Sequence, residues 1–199
     1  MVGEISIGVI GIQGAVSEHI KSMENTLEET STPGKVFVVK KKEDIDNIDG
    51  LLIPGGESTT ISRILFKSSL YSAIFKRIEE KNLPIMGTCA GCVILASKIS
   101  NNSKDIKLLN ALEMQVKRNA FGRQGESFEK KINIKGFIKP YNAVFIRAPI
   151  IEKVWGSCKI LAKIEKNIVM ARQDNVLALS FHPELTNDLR IHKYFLDMI

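Results

Sequence analysis

Apolar residues in this chain come first in short blocks and later in alternation. Ile5–Ile10 is a nearly unbroken apolar run, and Lys35–Val39, Gly50–Ile53 and Pro84–Gly87 follow the same plan. Each reads as a strand buried in a sheet. Between them the apolar positions fall three or four apart. Val16, Ile20, Met23 and Leu27 mark a helix from about Ala15 to Leu27, and the same spacing covers Thr59–Phe66 and Leu70–Glu80. From about Leu112 onward strand patterns dominate: Glu113–Lys117, Phe128–Ile134, Ala143–Ile146, Lys159–Glu165 and Ile168–Ala171. Val176–Phe181 returns to a continuous apolar run, and a helix from about Asn187 to Met198 closes the chain. Alternating strands and helices imply an α/β fold with a mostly parallel sheet covered on both faces, extended by antiparallel additions. Segment 24–34 is polar and reads as a surface loop. No internal repeat or interdomain linker breaks the pattern, so residues 1–199 are expected to form one domain.

One block carries chemistry. Pro84-Ile-Met-Gly-Thr-Cys-Ala-Gly91 runs a strand into a glycine-flanked cysteine, and Val93–Ala96 continues as a helix. This is the cysteine counterpart of the strand–turn–helix nucleophile elbow. A helix N-terminus favours a thiolate, the nucleophilic form of Cys89. A cysteine is most often buried packing, but the paired glycines and the turn favour a nucleophile. Cys89-Ala-Gly-Cys92 is also a C-x-x-C. There is no second such pair and Cys158 stands alone, which argues against four-ligand zinc; a redox pair is the alternative that stays open.

A cysteine nucleophile needs a base and something to orient it. The chain has three histidines. His19 falls in the first helix and reads as a surface or boundary residue, and His192 falls in the polar first half of the last helix. His182 follows the buried run Val176–Phe181, with Pro183 and Glu184 directly after. If the segment stays extended, His182 and Glu184 point the same way, and the carboxylate can hold the imidazole tautomer that serves Cys89. A third piece, Asp49–Ser58, runs a strand into Gly55-Gly56, whose backbone N–H groups can receive an oxyanion. The turns after Ile53, Gly87 and Phe181 fall at the C-terminal edge of the sheet, where open α/β folds bind ligands.

Composition narrows the partners. The net charge is +6, but the basic residues are dispersed and the densest run is only Lys40–Lys42. No basic stripe with interleaved aromatics favours nucleic acid. No apolar run is long enough for a membrane span, and Met1–Ser6 leads straight into a strand without a signal pattern. Three cysteines suit a reducing cytoplasm. Gly8, Gly11 and Gly14 lack dinucleotide spacing.

The set of motifs resembles the class I, triad-type glutamine amidotransferases and, more narrowly, the glutaminase subunits of pyridoxal 5′-phosphate synthases. The segments that carry the likeness are Gly8–His19, Pro54–Thr60, Gly87–Gly91, Arg118–Gln124, Phe145–Pro149 and Ser180–Thr186. Cys92 stands where that family is expected to have an aliphatic residue, and Ala120 where it usually has serine. The resemblance implies a three-layer, flavodoxin-like fold and a Cys89–His182–Glu184 triad that hydrolyses L-glutamine. It further implies oxyanion donors at Gly56 and Ala90, and glutamine contacts from Gly56, Glu57, Ser58, Arg118, Ile146 and Arg147. No metal or organic cofactor is implied. The ammonia would pass to a separate (β/α)8-barrel synthase subunit that builds pyridoxal 5′-phosphate. The rival readings are a glutaminase serving an imidazole glycerol phosphate or anthranilate synthase, and a silent binding module that keeps the fold.

Overall fold

The computed structural model describes residues 3–100, 105–120 and 127–199. In chain order the strands are β1 (Ile5–Ile10), β2 (Gly34–Val39), β3 (Gly50–Ile53), β4 (Ile85–Thr88), β5 (Ala96–Ile99), β6 (Leu112–Lys117), β7 (Ser127–Ile132), β8 (Tyr141–Ile146), β9 (Ile150–Val154), β10 (Lys159–Ile164), β11 (Asn167–Gln173) and β12 (Val176–Leu179). The helices are α1 (Val16–Glu29), α2 (Lys42–Asp46), α3 (Ser58–Lys67), α4 (Ser69–Glu79), α5 (Ala90–Leu95) and α6 (Arg190–Leu196).

The central sheet has the order β2-β1-β3-β4-β12-β11-β9-β6-β5, with β10 paired to β11. From β2 to β12 every pairing is parallel. Those strands read as apolar blocks because both faces are covered: β3, β4 and β12 are buried at every position. On one face, α2–α5 enclose a core that includes Ile53, Ile61, Leu65, Ile74, Ile85 and Val93. On the other, α1, α6 and the β7–β8 hairpin enclose Met23, Leu52, Met86, Phe145, Phe181 and Phe195. The expected three-layer architecture is therefore present. Beyond β12 the pairings to β11, β9 and β6 are antiparallel, and the last, β6 to β5, is parallel. The alternating burial of β6 and β8 matches strands with unlike faces.

Three short elements escape the sequence pattern. Helix α2 has only five residues, too few for periodicity to register. Strand β5 begins directly where α5 stops, so Val93–Ala96 reads as one apolar run. Strand β9 alternates only weakly after Pro149. Two expectations need correction. Residues 24–29 are the last turns of α1 and not a loop, since Thr26 and Leu27 turn inward. The last sheet strand stops at Leu179, because Ser180 and His182 direct their N–H groups to Val169 and Val144. No helix among the described residues is long and apolar enough to cross a membrane.

Strands β1, β3, β4 and β12 run the same way, so their C-terminal ends share one edge. The turns that follow them carry Gly11–Gly14, Gly55–Gly56, Cys89 and His182.

Candidate active site

Cys89 sits between β4 and α5 with φ 49° and ψ −101°. This left-handed conformation is uncommon for a side chain other than glycine and marks a strained elbow. The strain is held by packing. Gly91 lies so close to β3 that an added Cβ would fall 2.1 Å from the Ile53 carbonyl oxygen. Only glycine lets α5 seat this tightly. The Cys89 N–H donates to the Leu179 carbonyl at 2.8 Å, tying the elbow to β12. The Sγ lies 3.8 Å from the Ile146 carbonyl oxygen.

His182 reaches the same point from the neighbouring strand. Its Nδ1 is 2.7 Å from Glu184 Oε1. The two side chains meet through a 3-10 turn at Pro183–Leu185, not through the extended segment expected from sequence. Pro183 has fixed φ and no N–H to lose, which suits the first position of that turn. Both side chains are buried. Burial alone would pull the His182 imidazole down, but Cys89 and Glu184 outweigh it and hold it up at about 10. Burial pushes the Glu184 carboxyl up, yet His19 and His182 beside it leave it below the usual carboxylate range. The pair is thus an imidazolium held by a carboxylate, and the second ring nitrogen is left to face Cys89.

The Gly55–Gly56 loop forms the third wall. A Cβ on Gly55 would sit 2.5 Å from His182 Cε1 and 3.2 Å from Cys89 Cβ. The loop backbone therefore lies directly against nucleophile and base. Gly55→Ala is expected to lower glutamine turnover at least about 10-fold while the protein stays folded, because His182 must shift from its position near Cys89. Steady-state kinetics with a thermal melt checks this, and unchanged turnover would contradict the close approach. Gly56 adopts φ 151°. Glu57 caps α3, accepting from the Thr59 and Thr60 N–H groups at 2.9 and 2.7 Å, and pairs with Arg118 at 3.2 Å. Burial opposes its charge, but those N–H donors prevail and hold the carboxyl at about 2.

These pieces enclose a cleft of about 360 Å³. Every residue expected to touch substrate lines it: Gly56, Glu57, Ser58, Cys89, Ala90, Arg118, Ile146, Arg147 and His182. Glu184 stands behind His182, outside the lining. Arg147 has φ 42°, a second backbone position held in the left-handed region. The expected segment Arg118–Gln124 is described only through Ala120; Phe121–Gln124 lie outside the described residues. Cys92 is wholly buried beside Ser180, burial pushes its thiol up, and it does not line the cleft. The C-x-x-C is therefore one cleft cysteine and one core cysteine.

Two histidines depart from expectation. His19 is fully buried, with Nε2 3.3 Å from Glu184 Oε2 and 3.1 Å from Thr88 Oγ1. His192 is also fully buried and packs edge-on against the His19 ring. The inward face of α1 is His19, Ser22, Met23, Thr26 and Leu27. That stripe has helical spacing, but the apolar residues Val16 and Ile20 draw attention to the neighbouring one. Thr88, within the elbow motif, accepts the Gly55 N–H at 3.1 Å and has no signal of its own in sequence.

The chain matches the model of the SNO glutamine amidotransferase family over residues 9–199. It is 47% identical over 196 residues to the "Pyridoxal 5'-phosphate synthase subunit PdxT" of Pyrococcus furiosus, covering 98% of this chain and 99% of the relative. The protein of the same name from Methanococcoides burtonii is 47% identical over 197 residues, covering 97% and 98%. A solved structure described as a glutamine amidotransferase superposes with a TM-score of 0.87 at 40% identity, covering 96% of this chain and 97% of that one. A Thermotoga maritima glutamine amidotransferase, at 15% identity and a TM-score of 0.65, shares the fold.

Proposed function

The chain belongs to the SNO glutamine amidotransferase family, and from that membership we propose that it is the glutaminase subunit of a pyridoxal 5′-phosphate synthase. The observation that carries the chemistry is one cleft in which a strained Cys89 meets a His182 held 2.7 Å from Glu184, with the Gly55–Gly56 loop packed against both.

In the reaction we infer, glutamine lies with its side-chain amide over Cys89. The thiolate forms a bond to the amide carbon, and the C=O electron pair moves onto oxygen. The Gly56 and Ala90 N–H groups receive that oxyanion, Ala90 being the first residue of α5. Collapse breaks the C–N bond, and the His182 imidazolium gives its proton to the departing ammonia. Neutral His182 then takes a proton from water, which attacks the glutamyl thioester, releases glutamate and restores Cys89. Glu184 keeps its charge throughout and favours the imidazolium. Arg118 and Arg147, on the cleft wall, suit the substrate α-carboxylate, which a guanidinium can hold through paired hydrogen bonds. Glu57, ionised by its cap position, suits the α-ammonium group.

The ammonia passes to a (β/α)8-barrel synthase subunit. That arrangement makes unpartnered glutamine hydrolysis wasteful, and the Pro54–Glu57 loop is the point of control. A Cβ on Gly14 would fall 1.6 Å from the Gly55 carbonyl oxygen, and Gln13 Oε1 lies 3.4 Å from the Glu57 N–H. The Gly11–Gly14 turn therefore rests on the oxyanion loop, and a partner docking at this edge can set the loop geometry. Addition of the purified synthase subunit from the same genome is expected to raise glutamate release at saturating glutamine by on the order of 10²-fold, the worth of one oxyanion donor. Equal turnover with and without it would remove the switch but leave the glutaminase assignment standing. Cys89-dependent release of glutamate by the co-purified complex tests the assignment itself.

A further inference from the structure

Helix α1 contributes one charged-capable side chain to the centre of the protein, and the reaction above does not use it. His19 is completely buried, and its Nε2 faces two groups at once. One is Glu184 Oε2 at 3.3 Å, the carboxylate oxygen that His182 leaves over. The other is Thr88 Oγ1 at 3.1 Å, the same oxygen that accepts the Gly55 N–H at 3.1 Å. A bare nitrogen lone pair would repel the ionised carboxylate, so Nε2 carries the hydrogen and Nδ1 is the bare nitrogen. Nδ1 has no hydrogen-bond partner among the described residues. The result is a continuous path of polar contacts from His182 through Glu184, His19 and Thr88 to the Gly55 peptide.

We propose that His19 is a positioning residue for the hydrolysis: its Nε2 hydrogen-bonds Thr88 Oγ1 and so fixes the Gly55 peptide of the oxyanion loop, while the same Nε2–H edge, 3.3 Å from Glu184 Oε2, holds that carboxylate toward His182 electrostatically. One side chain then aligns the proton-transfer arm and the oxyanion arm of the site. The setting is suited to this. Glu184 Oε2 is buried without a hydrogen-bond partner among the described residues, so the polar Nε2–H edge of His19 beside it offsets part of the cost of burying that charge. The groups facing His19 are Glu184 and His182 from the 3-10 turn and its approach, His192 from α6, and Glu18 on α1 itself. Burial pulls His19 below its usual value against the upward pull of Glu184, so it works as a neutral donor.

The inference rests on the glutaminase reading, and its test separates the two. The complex with the synthase subunit is assayed for glutamate release with wild type, Cys89→Ala, His19→Phe, His19→Gln and Thr88→Val, each checked for folding by a thermal melt. Wild-type turnover that Cys89→Ala does not remove would fail the glutaminase reading before His19 is considered. His19→Phe keeps ring volume but loses the donor, and kcat is expected to fall roughly 10- to 100-fold with KM for glutamine within about threefold. The acid limb of its kcat/KM profile should move to higher pH, because Glu184 loses a group that keeps it ionised. His19→Gln, whose amide nitrogen can occupy the Nε2 position, should recover most of the loss. Thr88→Val, isosteric at the elbow, should lower kcat with an unmoved acid limb. Wild-type kcat and an unmoved limb in His19→Phe would overturn the proposal. If that variant does not fold, wild-type kcat in Thr88→Val overturns it instead.

Discussion

Cys89→Ser should lose glutamine hydrolysis by on the order of 10⁴-fold or more, to the background of the assay. The substitution changes one atom. The hydroxyl keeps the shape of the side chain and the elbow, so the φ of 49° at this position and the glycine-tight seat of α5 are retained. What is lost is the nucleophile: an alcohol is a far weaker nucleophile than a thiol or thiolate, and the substitution also removes one of the two groups that hold the proton on His182. The melting temperature should stay within a few degrees of wild type, since the side chain lies in the cleft wall and not in the packed interior. Cys92→Ala gives the contrast. Its thiol is wholly buried and turned from the cleft, so the expected cost is about 1 kcal/mol of stability from lost packing with turnover within a few-fold. Glutamate release by both variants in the partner complex is the measurement. If Cys92 proved as essential as Cys89, a redox role for the pair would displace the amidase chemistry.

Much of the site could be read from sequence because its parts are local. The elbow needs glycines at fixed offsets from Cys89, the oxyanion loop needs Gly55 and Gly56 after a strand, and His182 and Glu184 are two residues apart. Each signature lies within about ten residues, and parallel β3, β4 and β12 bring the three together at one edge. What sequence could not supply is contact between distant segments. The apolar stripe through Val16 and Ile20 dominates the sequence pattern and makes His19 read as a surface or boundary residue. The fold instead turns the adjacent stripe inward, and His19 meets Glu184 from 165 positions away in the chain. His192 is hidden for the same reason: the first half of the last helix, with Arg190 and Lys193, reads as polar, yet Ile191, His192, Phe195 and Leu196 are its buried face. His182 and Glu184 do face each other, but a proline-led 3-10 turn brings them together where the sequence predicts an extended segment. The fold class survived such local errors because it depends on the order of blocks and not on their exact ends.

His182→Ala should cut kcat by roughly 10²–10⁴-fold, more than any change at Glu184. His182 moves the proton in both halves of the reaction, onto ammonia and then off water, whereas Glu184 touches no reacting atom. The pH dependence distinguishes the two roles. Ammonia can leave only while His182 is an imidazolium, so kcat/KM of the wild-type enzyme should decline as pH rises through the elevated value of about 10. Glu184 is one of the groups that raises it. Glu184→Gln keeps a hydrogen-bond acceptor near Nδ1 but removes the charge. The His182 value should then fall back toward that of free imidazole, and the alkaline limb should move to lower pH. Titration of the substrate amino group affects both enzymes alike and cancels in the comparison. His182→Ala should show residual activity with no such limb. An alkaline limb at the same pH in wild type and Glu184→Gln would mean that the carboxylate only orients the ring. A limb in His182→Ala beyond the one that the substrate amino group itself gives would assign the proton to another group and end the triad reading.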